Sequence, residues 1–431
     1  MNNIRQHEHI ICRTIQILLL TIVIIRLIGV YKKTEFWDLN IYIHTAEQVM
    51  NGILPYDMNL YKLFSEYPPI QSPAVSLVLM PLLWIPQNYL CNLYFCGTII
   101  AFFAYVIMVF HYYGHSPKDY LKAKWHNIPL WLILLFIFIS SPFLTTLWFG
   151  QNGCFVVLCL FGVLFYTDQD KICNIFLLAF AAALKYSLLT FLVPVLVFQK
   201  RLRMSILAFI LFCIMVLSVG LWLNGILPTF LEYIRMLIED TQNGPNSYRN
   251  PNCSYLFIGF FKINALNILL KLMTIVLYGV VLLRSWYRGK MSGKGFPMRL
   301  SATTWGLFAS MTLFISYHRV QDGILFMPFL GIIFIELLLK IYQNKYNKRT
   351  IIEAVIVFCY IVFWTLPNSL IRYFGAVLGK YVMMGEKLFI YSNYNDDNLF
   401  PLLGIVMFSM ICFLAWLEFT QPSTSQEKMI E

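Results

Sequence analysis

The chain has 431 residues, of which 59% are hydrophobic, 17% aromatic and only 12% charged, with a formal net charge of +11. The charged fraction is about half that of soluble domains, which excludes an ordinary soluble enzyme. The basic residues separate apolar runs and form no basic module, so we expect membrane lipids, and no nucleic acid, as partners. We therefore expect a single all-α, polytopic membrane domain over residues 1–431.

Apolar runs recur along the chain and give the expected membrane spans, each needing about 20 residues. The first run lacks a small-residue cleavage site, so we interpret it as a transmembrane helix and not as a signal peptide. About 12 transmembrane helices are predicted, near residues 13–30, 69–87, 89–112, 128–149, 153–166, 172–198, 205–223, 265–283, 301–316, 323–341, 351–366 and 399–418.

The basic gaps orient this bundle by the positive-inside rule. With a cytoplasmic N-terminus, the basic gaps after residues 198, 283 and 341 lie inside. The outer segments are then 31–68, 224–264, 317–322 and 367–398. One gap disagrees, because residues 114–126 carry three lysines and would lie outside. The segment 367–398 has the pattern of an interfacial helix, although another short span would fit as well.

The first outer segment contains Asp38, in the stretch "FWDLNIYIHTAEQVMNGILPY" from residue 36. One interpretation is structural: Tyr42, Ala46 and Val49 share a helix face, Gly52 suits the C-terminal cap, and Asp38 would be the N-cap. A capping box is absent, since Ile41 stands where Glu or Gln is expected. The other interpretation is a catalytic base, which the residues of this segment alone do not decide.

Other polar residues also have structural and functional interpretations. Lys185 lies inside an apolar run, so it should face a polar cavity, pair with an acid or reach an interface. Gln151 and Asn152 could cap a short turn between two spans. His318, Arg319 and Asp322 form an ionisable group that could contact lipid headgroups or a phosphate, and Arg249 is another candidate for the phosphate.

Several motifs follow one another in a recognisable order. They are F-W-D-x-x-x-Y at 36, N-G-x-x-P-Y at 51, Y-P-P-x-x-x-P at 67, "SPFLTTLWFGQN" at 141, "AAALKYSLLTFLVPVLVFQKRLR" at 181, "NPNCSYLFIGF" at 250 and "SYHRVQDGILFMPFL" at 316. Over roughly residues 30–330 this pattern resembles the GT-C membrane glycosyltransferases, and more narrowly glycosyltransferase family 87, which includes polyprenol-phosphate-mannose-dependent mannosyltransferases. Tyr186 after Lys185, where the family usually has proline, and the charged "HRVQD" cluster depart from the pattern.

The resemblance implies a GT-C bundle with short interfacial helices on the outer face. It implies transfer of a hexose, mannose in the family named above, from a polyprenyl-phosphate-sugar to a lipid or glycan hydroxyl. The enzyme would be a multi-pass protein of the bacterial inner membrane, with its active site facing outward. Asp38 would be the catalytic base, and the implied substrate-binding residues are Tyr42, Gln151, Asn152, Lys185, Arg249, Asn252, Ser254, His318 and Arg319.

One carboxylate acting in a direct displacement predicts inversion at the anomeric carbon. A lipid-phosphate donor does not require a divalent metal, so we expect no metal site and no cofactor. Two other functional classes remain open, a lipid-linked sugar transporter or flippase and an O-antigen-type polymerase. A structural membrane protein is the least specific alternative.

Overall fold

The computed structural model describes residues 2–56, 72–115, 122, 124, 127–166, 171–185, 195, 201–223, 225–243, 264–291, 300–315, 320–343, 348–367, 370, 373–374 and 399–420. Within these ranges it is helical throughout. The α-helices are α1 (Asn2–Tyr31), α2 (Trp37–Met50), α3 (Ala74–Leu79), α4 (Gln87–Tyr112), α5 (Ile128–Phe138), α6 (Ser141–Phe149), α7 (Gly153–Tyr166), α8 (Ile172–Lys185), α9 (Leu202–Trp222), α10 (Ile226–Asn243), α11 (Asn264–Met291), α12 (Ala302–Ile315), α13 (Met327–Tyr342), α14 (Lys348–Thr365) and α15 (Leu399–Thr420). Two 3₁₀ helices span Met80–Trp84 and Val320–Leu325.

Membrane-spanning helices are confirmed in part. Five segments are long and apolar enough to cross a bilayer, namely His7–Tyr31, Gln87–Tyr112, Ile128–Phe149, Leu202–Trp222 and Ile268–Arg288. Five further apolar helices are shorter, at Ala74–Trp84, Gly153–Phe165, Ile172–Lys185, Ala302–Ile315 and Gly404–Thr420. Where their residues are described, the predicted runs coincide with helices, but the described residues do not establish twelve crossings.

The bundle has two ends, and we call the one that carries α2 the α2 end. Helix α1 arrives there, because the Tyr31 hydroxyl donates to Asn92 Oδ1 near the start of α4. Helix α4 starts there as well, since Gln87 Nε2 donates to Asn40 Oδ1 at 3.4 Å. Helices α1 and α4 therefore run antiparallel.

The predicted span at 69–87 is too short to cross. Its described part is α3 followed directly by the 3₁₀ helix at 80–84, with a length of about 20 Å against a hydrocarbon core of about 30 Å. Both of its ends contact the α2 end: Gln87 bonds to Asn40, and Ser72 Oγ donates to the Ala183 carbonyl near the end of α8. The segment therefore returns to the end at which it started.

This return corrects the predicted position of the lysine-containing gap at 114–126. The Tyr113 hydroxyl donates to the Leu300 carbonyl at 2.9 Å, next to the basic gap at 284–300. The Lys122 carbonyl accepts from Gln16 Nε2 of α1 at 3.2 Å. The described part of the lysine gap, including Lys122 and Lys124, thus lies at the end opposite α2, and the conflict with the positive-inside rule disappears.

A buried carboxylate joins helix termini at that opposite end. Glu418, which is 2% exposed, accepts from Arg288 Nη1 at 2.9 Å and from Thr304 Oγ1 at 2.7 Å. Arg284 donates to the carbonyls of Glu418 and Phe419, the last turn of α15. The basic last turns of α11 are therefore bound to the start of α12 and the end of α15, which explains part of the basic composition after residue 283.

The lipid-facing surface of the bundle is apolar. Exposed side chains such as Ile25, Phe209 and Val276 lie on α1, α9 and α11, while the interior contains stacked rings such as Phe102 and Phe143, 4.1 Å apart. Helix α10 in the second outer segment is amphipathic, as an interfacial helix would be. The predicted interfacial segment at 367–398 lies almost entirely outside the described residues.

Candidate functional site

The site is built around the first turn of α2. Phe36, the residue before this helix, has left-handed backbone angles (φ 50°, ψ 32°), a conformation that costs a non-glycine residue about 1–2 kcal/mol. Its amide donates to the Trp148 carbonyl at the end of α6, at 3.2 Å. The entry of α2 is therefore held against α6.

Asp38 is not the N-cap of α2. The N-cap is Phe36 and makes no side-chain capping bond, so Asp38 is the second residue inside the helix. A negative charge in the first turn is favourable there because of the helix dipole. At the other end the cap is as predicted: Gly52 has φ 72°, and the amides of Gly52 and Ile53 bond back to Val49 and Gln48 in a Schellman arrangement.

Three of the predicted site residues, Asp38, Tyr42 and Gln151, form one hydrogen-bonded group. Asp38 is 9% exposed, and its Oδ2 accepts a hydrogen bond from Gln151 Nε2. The Tyr42 hydroxyl, one helical turn from Asp38, donates to Gln151 Oε1 at 3.4 Å. The side-chain amide of Gln151 thus holds the carboxylate and does not close a turn.

The turn between α6 and α7 places Gln151 against α2. Gly150 has φ 69°, and a Cβ added to it would lie 2.8 Å from Leu39 Cβ of α2. Only glycine permits both this backbone conformation and this close approach. The glycine-glutamine-asparagine stretch is therefore fixed in the structure by contact with the helix that carries Asp38.

Asn152 continues the polar site on the other side of the same turn. Its Oδ1 accepts from the Tyr94 hydroxyl of α4, and its Nδ2, although buried, has no hydrogen-bond partner among the described residues. A buried amide donor left unpaired costs about 1–3 kcal/mol, so this position suits a water or a ligand oxygen. Tyr94 was not predicted; the run of polar residues in the first turns of α4 was the available signal.

Lys185 is paired with an acid, as one of its predicted interpretations required. Its Nζ lies 2.6 Å from Asp322 Oδ1, and the two side chains are 18% and 1% exposed. A Cβ added to Gly153 would lie 3.8 Å from the same Asp322 oxygen. The ion pair is therefore adjacent to the turn whose other side contacts Asp38.

The other predicted site residues cannot be located relative to these. Arg249, Asn252, Ser254, His318 and Arg319 lie outside the described residues, and their substrate-binding roles stay predictions. Within the described part of the chain, no group of three or more His, Cys, Asp or Glu side chains is arranged to hold a metal ion. The expectation of a metal-independent enzyme likewise stays a prediction.

The N-G-x-x-P-Y turn anchors the far end of α2. Tyr56 is fully buried and packs edge-on against Tyr233 of α10, with ring centroids 5.0 Å apart. Burial raises the pKa of the Tyr56 hydroxyl far above its ordinary value, so this group stays neutral. Trp222 Nε1 at the end of α9 donates to the Val49 carbonyl at 2.9 Å. The segment carrying Asp38 is therefore fixed at both ends.

This arrangement has the elements of a group-transfer site. A carboxylate can accept a proton, a buried unpaired amide can bind an oxygen, and an ammonium nearby can stabilise developing negative charge. These groups come from α2, α4, α8, the turn before α7 and the 3₁₀ helix at 320–325, which converge at the α2 end of the bundle.

Comparisons with known proteins identify the family. The sequence model described as glycosyltransferase family 87 matches residues 67–316, which is more than half of the chain and includes Gln151, Asn152 and Lys185. The matched region begins after Asp38 and Tyr42. Searches of curated proteins and of solved structures found no match. The chain therefore belongs to glycosyltransferase family 87, and it is a membrane glycosyltransferase.

Proposed function

We propose that the protein transfers a hexose, with mannose as the first candidate, from a polyprenyl-phosphate-sugar to a hydroxyl of a lipid or glycan acceptor. The observation that carries this proposal is the buried Asp38 carboxylate, held by Gln151 on one side of a turn whose other side contacts the Lys185–Asp322 pair. A base and a cation next to one another are what attack by a hydroxyl on a phosphate-linked sugar requires.

Asp38 is the general base in this mechanism. It accepts the proton of the acceptor hydroxyl while that oxygen bonds to the anomeric carbon. The bond from that carbon to the phosphate oxygen breaks, and the lipid phosphate leaves with the electron pair. Because the displacement is direct, the anomeric configuration is inverted.

Lys185 stabilises the leaving phosphate. An ammonium group has three N–H donors, so a bond to Asp322 is compatible with a second bond to a phosphate oxygen. The Asp322 carboxylate supplies the counter-charge of this lysine in an apolar bundle, where an unpaired cation would be expensive. His318, Arg319 and Arg249 are the further candidates for this phosphate, and Asn252 and Ser254 for the sugar.

The proposed reaction takes place at the extracytoplasmic face of the cell membrane. The basic gaps gather at the end opposite α2, and basic gaps favour the cytoplasm. With that end inside, Asp38 and the proposed phosphate site face outward, where lipid-linked sugars are used without a nucleotide. No cofactor is required by this scheme.

The test is transfer from radiolabelled polyprenyl-phosphate sugars in reconstituted vesicles, with Asp38→Asn compared with Glu35→Gln. Losing the base should reduce the rate about 100- to 10,000-fold, whereas Glu35 is exposed and its variant should retain activity. Full transfer by Asp38→Asn would rule out the base. Movement of the lipid-linked sugar across the vesicle without covalent transfer would favour a flippase, and long product chains would favour a polymerase.

A further inference from the structure

A groove about 380 Å³ in volume lies between α1 and α4 at the α2 end. Its lining is apolar, and the two polar side chains in it satisfy each other, since the Tyr31 hydroxyl donates to Asn92 Oδ1. The lining residues are Ile24, Leu27, Ile28, Tyr31, Asn92, Phe95 and Cys96. Both helices are candidate membrane spans, so the groove opens toward lipid.

A chain of ring contacts leads from this groove to the base. Tyr31 and Phe95 pack edge-on with centroids 5.1 Å apart, and Phe95 packs in the same way against Phe36 at 6.4 Å. Phe36 is the residue before α2, two positions from Asp38. On α4, Tyr94 reaches the polar site while its neighbour Phe95 lines the groove. Two packed rings, Phe95 and Phe36, therefore separate the groove from the first turn of α2, which carries Asp38.

The groove and the ion pair reach the site from different helices. The groove approaches it on the side of Phe36, whose ring contacts Phe95, whereas Lys185 and Asp322 adjoin Gly153, after the turn. If the donor phosphate binds Lys185, the groove is on the side of the attacking hydroxyl. From Ile24 to Tyr31 it runs about 10 Å along α1, long enough for about eight methylenes of an extended chain.

We propose that this groove binds the hydrocarbon chain of a lipid acceptor and so presents the acceptor hydroxyl to Asp38. This inference rests on the proposed function and narrows the acceptor from a lipid or glycan to a lipid. Ordinary bilayer lipids cover every apolar helix, but a concave site two rings away from the helix turn that carries the base can position one chain relative to the reacting groups.

The test is photolabelling in phospholipid nanodiscs with a dodecyl glucoside that carries a diazirine on its chain. Label should appear on peptides containing residues 24–31 and 92–96. Ile28→Trp fills the groove and should lower the labelling about tenfold, which corresponds to about two methylenes of lost apolar contact. Ile25→Trp is the matched control, because Ile25 is 64% exposed on another face of α1.

Three other outcomes would contradict the assignment of the groove to the chain of a lipid acceptor. Displacement of the label by undecaprenyl phosphate would mean that the groove holds the donor chain. Equal labelling of wild type and Ile28→Trp, or label spread over α9 and α11, would mean ordinary bilayer contact. Asp38→Asn and a sample without donor should label like wild type, so a failure of the proposed catalysis is distinguishable from a failure of the groove. Circular dichroism of Ile28→Trp and Ile25→Trp checks that both variants fold.

Discussion

At the scale of single residues, the Gln151 amide orients the Asp38 carboxylate. Gln151 can donate to Asp38 and accept from Tyr42 at once, which fixes the direction of its side chain. A cation in the same place would bind the carboxylate more strongly and compete with the acceptor hydroxyl. The bond from Gln151 therefore orients the proposed base without neutralising its charge.

This gives a prediction for Gln151→Leu, which replaces the amide donor with an apolar side chain of similar size. Loss of one hydrogen bond to a charged group should lower kcat/KM about 10- to 100-fold, measured as sugar transfer in vesicles. Tyr42→Phe removes only the longer, supporting bond and should cost less. An unchanged rate for Gln151→Leu would show that the amide does not position Asp38.

The Lys185–Asp322 pair gives a prediction for stability. Asp322→Asn leaves a largely buried ammonium without its counter-charge, so it should destabilise the protein by on the order of 3 kcal/mol, seen as a lower unfolding midpoint. The double variant Lys185→Met with Asp322→Leu removes both charges and should regain most of that stability. It should not regain transfer activity, and if it does, Lys185 is not needed for the phosphate.

Sequence motifs predicted the individual residues of the site better than the contacts between them. Asp38, Tyr42, Gln151 and Lys185 were candidates from their motifs or from the cost of a buried charge. Their partners are 113 positions away for Asp38 and 137 for Lys185, and nothing local specifies such pairings. Asp38 also showed the limit of cap rules, because the left-handed Phe36 replaced it as the cap.

At the scale of elements, the contact between the α6–α7 turn and α2 depends on one glycine. Gly150→Ala would add a methyl group 2.8 Å from Leu39 Cβ, at a backbone angle that disfavours alanine. We expect a loss of about 1–3 kcal/mol in stability, and a larger loss of activity because Gln151 moves relative to Asp38. Thermal unfolding and transfer assays on the same sample separate the two.

Gly29→Ala in α1 is the control for that variant. A Cβ at this position would meet nothing within 4 Å, so neither stability nor transfer should fall. If Gly150→Ala behaves like Gly29→Ala, the turn tolerates displacement and does not set the geometry of the site.

Hydropathy predicted the positions of the helices, but it did not predict which apolar segments cross the membrane. The apolar run at 69–87 contains Pro81 and Pro86, and its regular helix gives way to a 3₁₀ turn that ends at Trp84. Hydropathy measures how apolar such a segment is and not where its ends return. That difference alone placed the lysine-rich gap on the wrong side.

At the scale of the whole molecule, the two ends can be distinguished by labelling. Lys124 and Lys348 are exposed positions at the end opposite α2, and Glu47 is exposed on α2. In sealed vesicles, Lys124→Cys and Lys348→Cys should react with an impermeant maleimide from the same side, and Glu47→Cys from the other side. The wild type, with its native cysteines, gives the background.

Labelling of Lys124→Cys together with Glu47→Cys would contradict the returning segment at 74–84. Labelling of Glu47→Cys from the cytoplasmic side would contradict only the proposed orientation. The two results concern different statements, because the bundle can be correct and inserted either way.

The apolar segment formed by α3 and the 3₁₀ helix at 80–84 is short, about 20 Å, and both of its ends contact the α2 end beside the site. It falls about 10 Å short of a bilayer's hydrocarbon thickness, while α4 with 26 residues exceeds it. Such hydrophobic mismatch thins the surrounding bilayer or opens a water-filled depression above the site. A lipid-linked sugar would then reach Asp38 while its hydrocarbon chain and its headgroup stay at their usual depths. Transfer activity should therefore depend on the acyl-chain length of the host membrane.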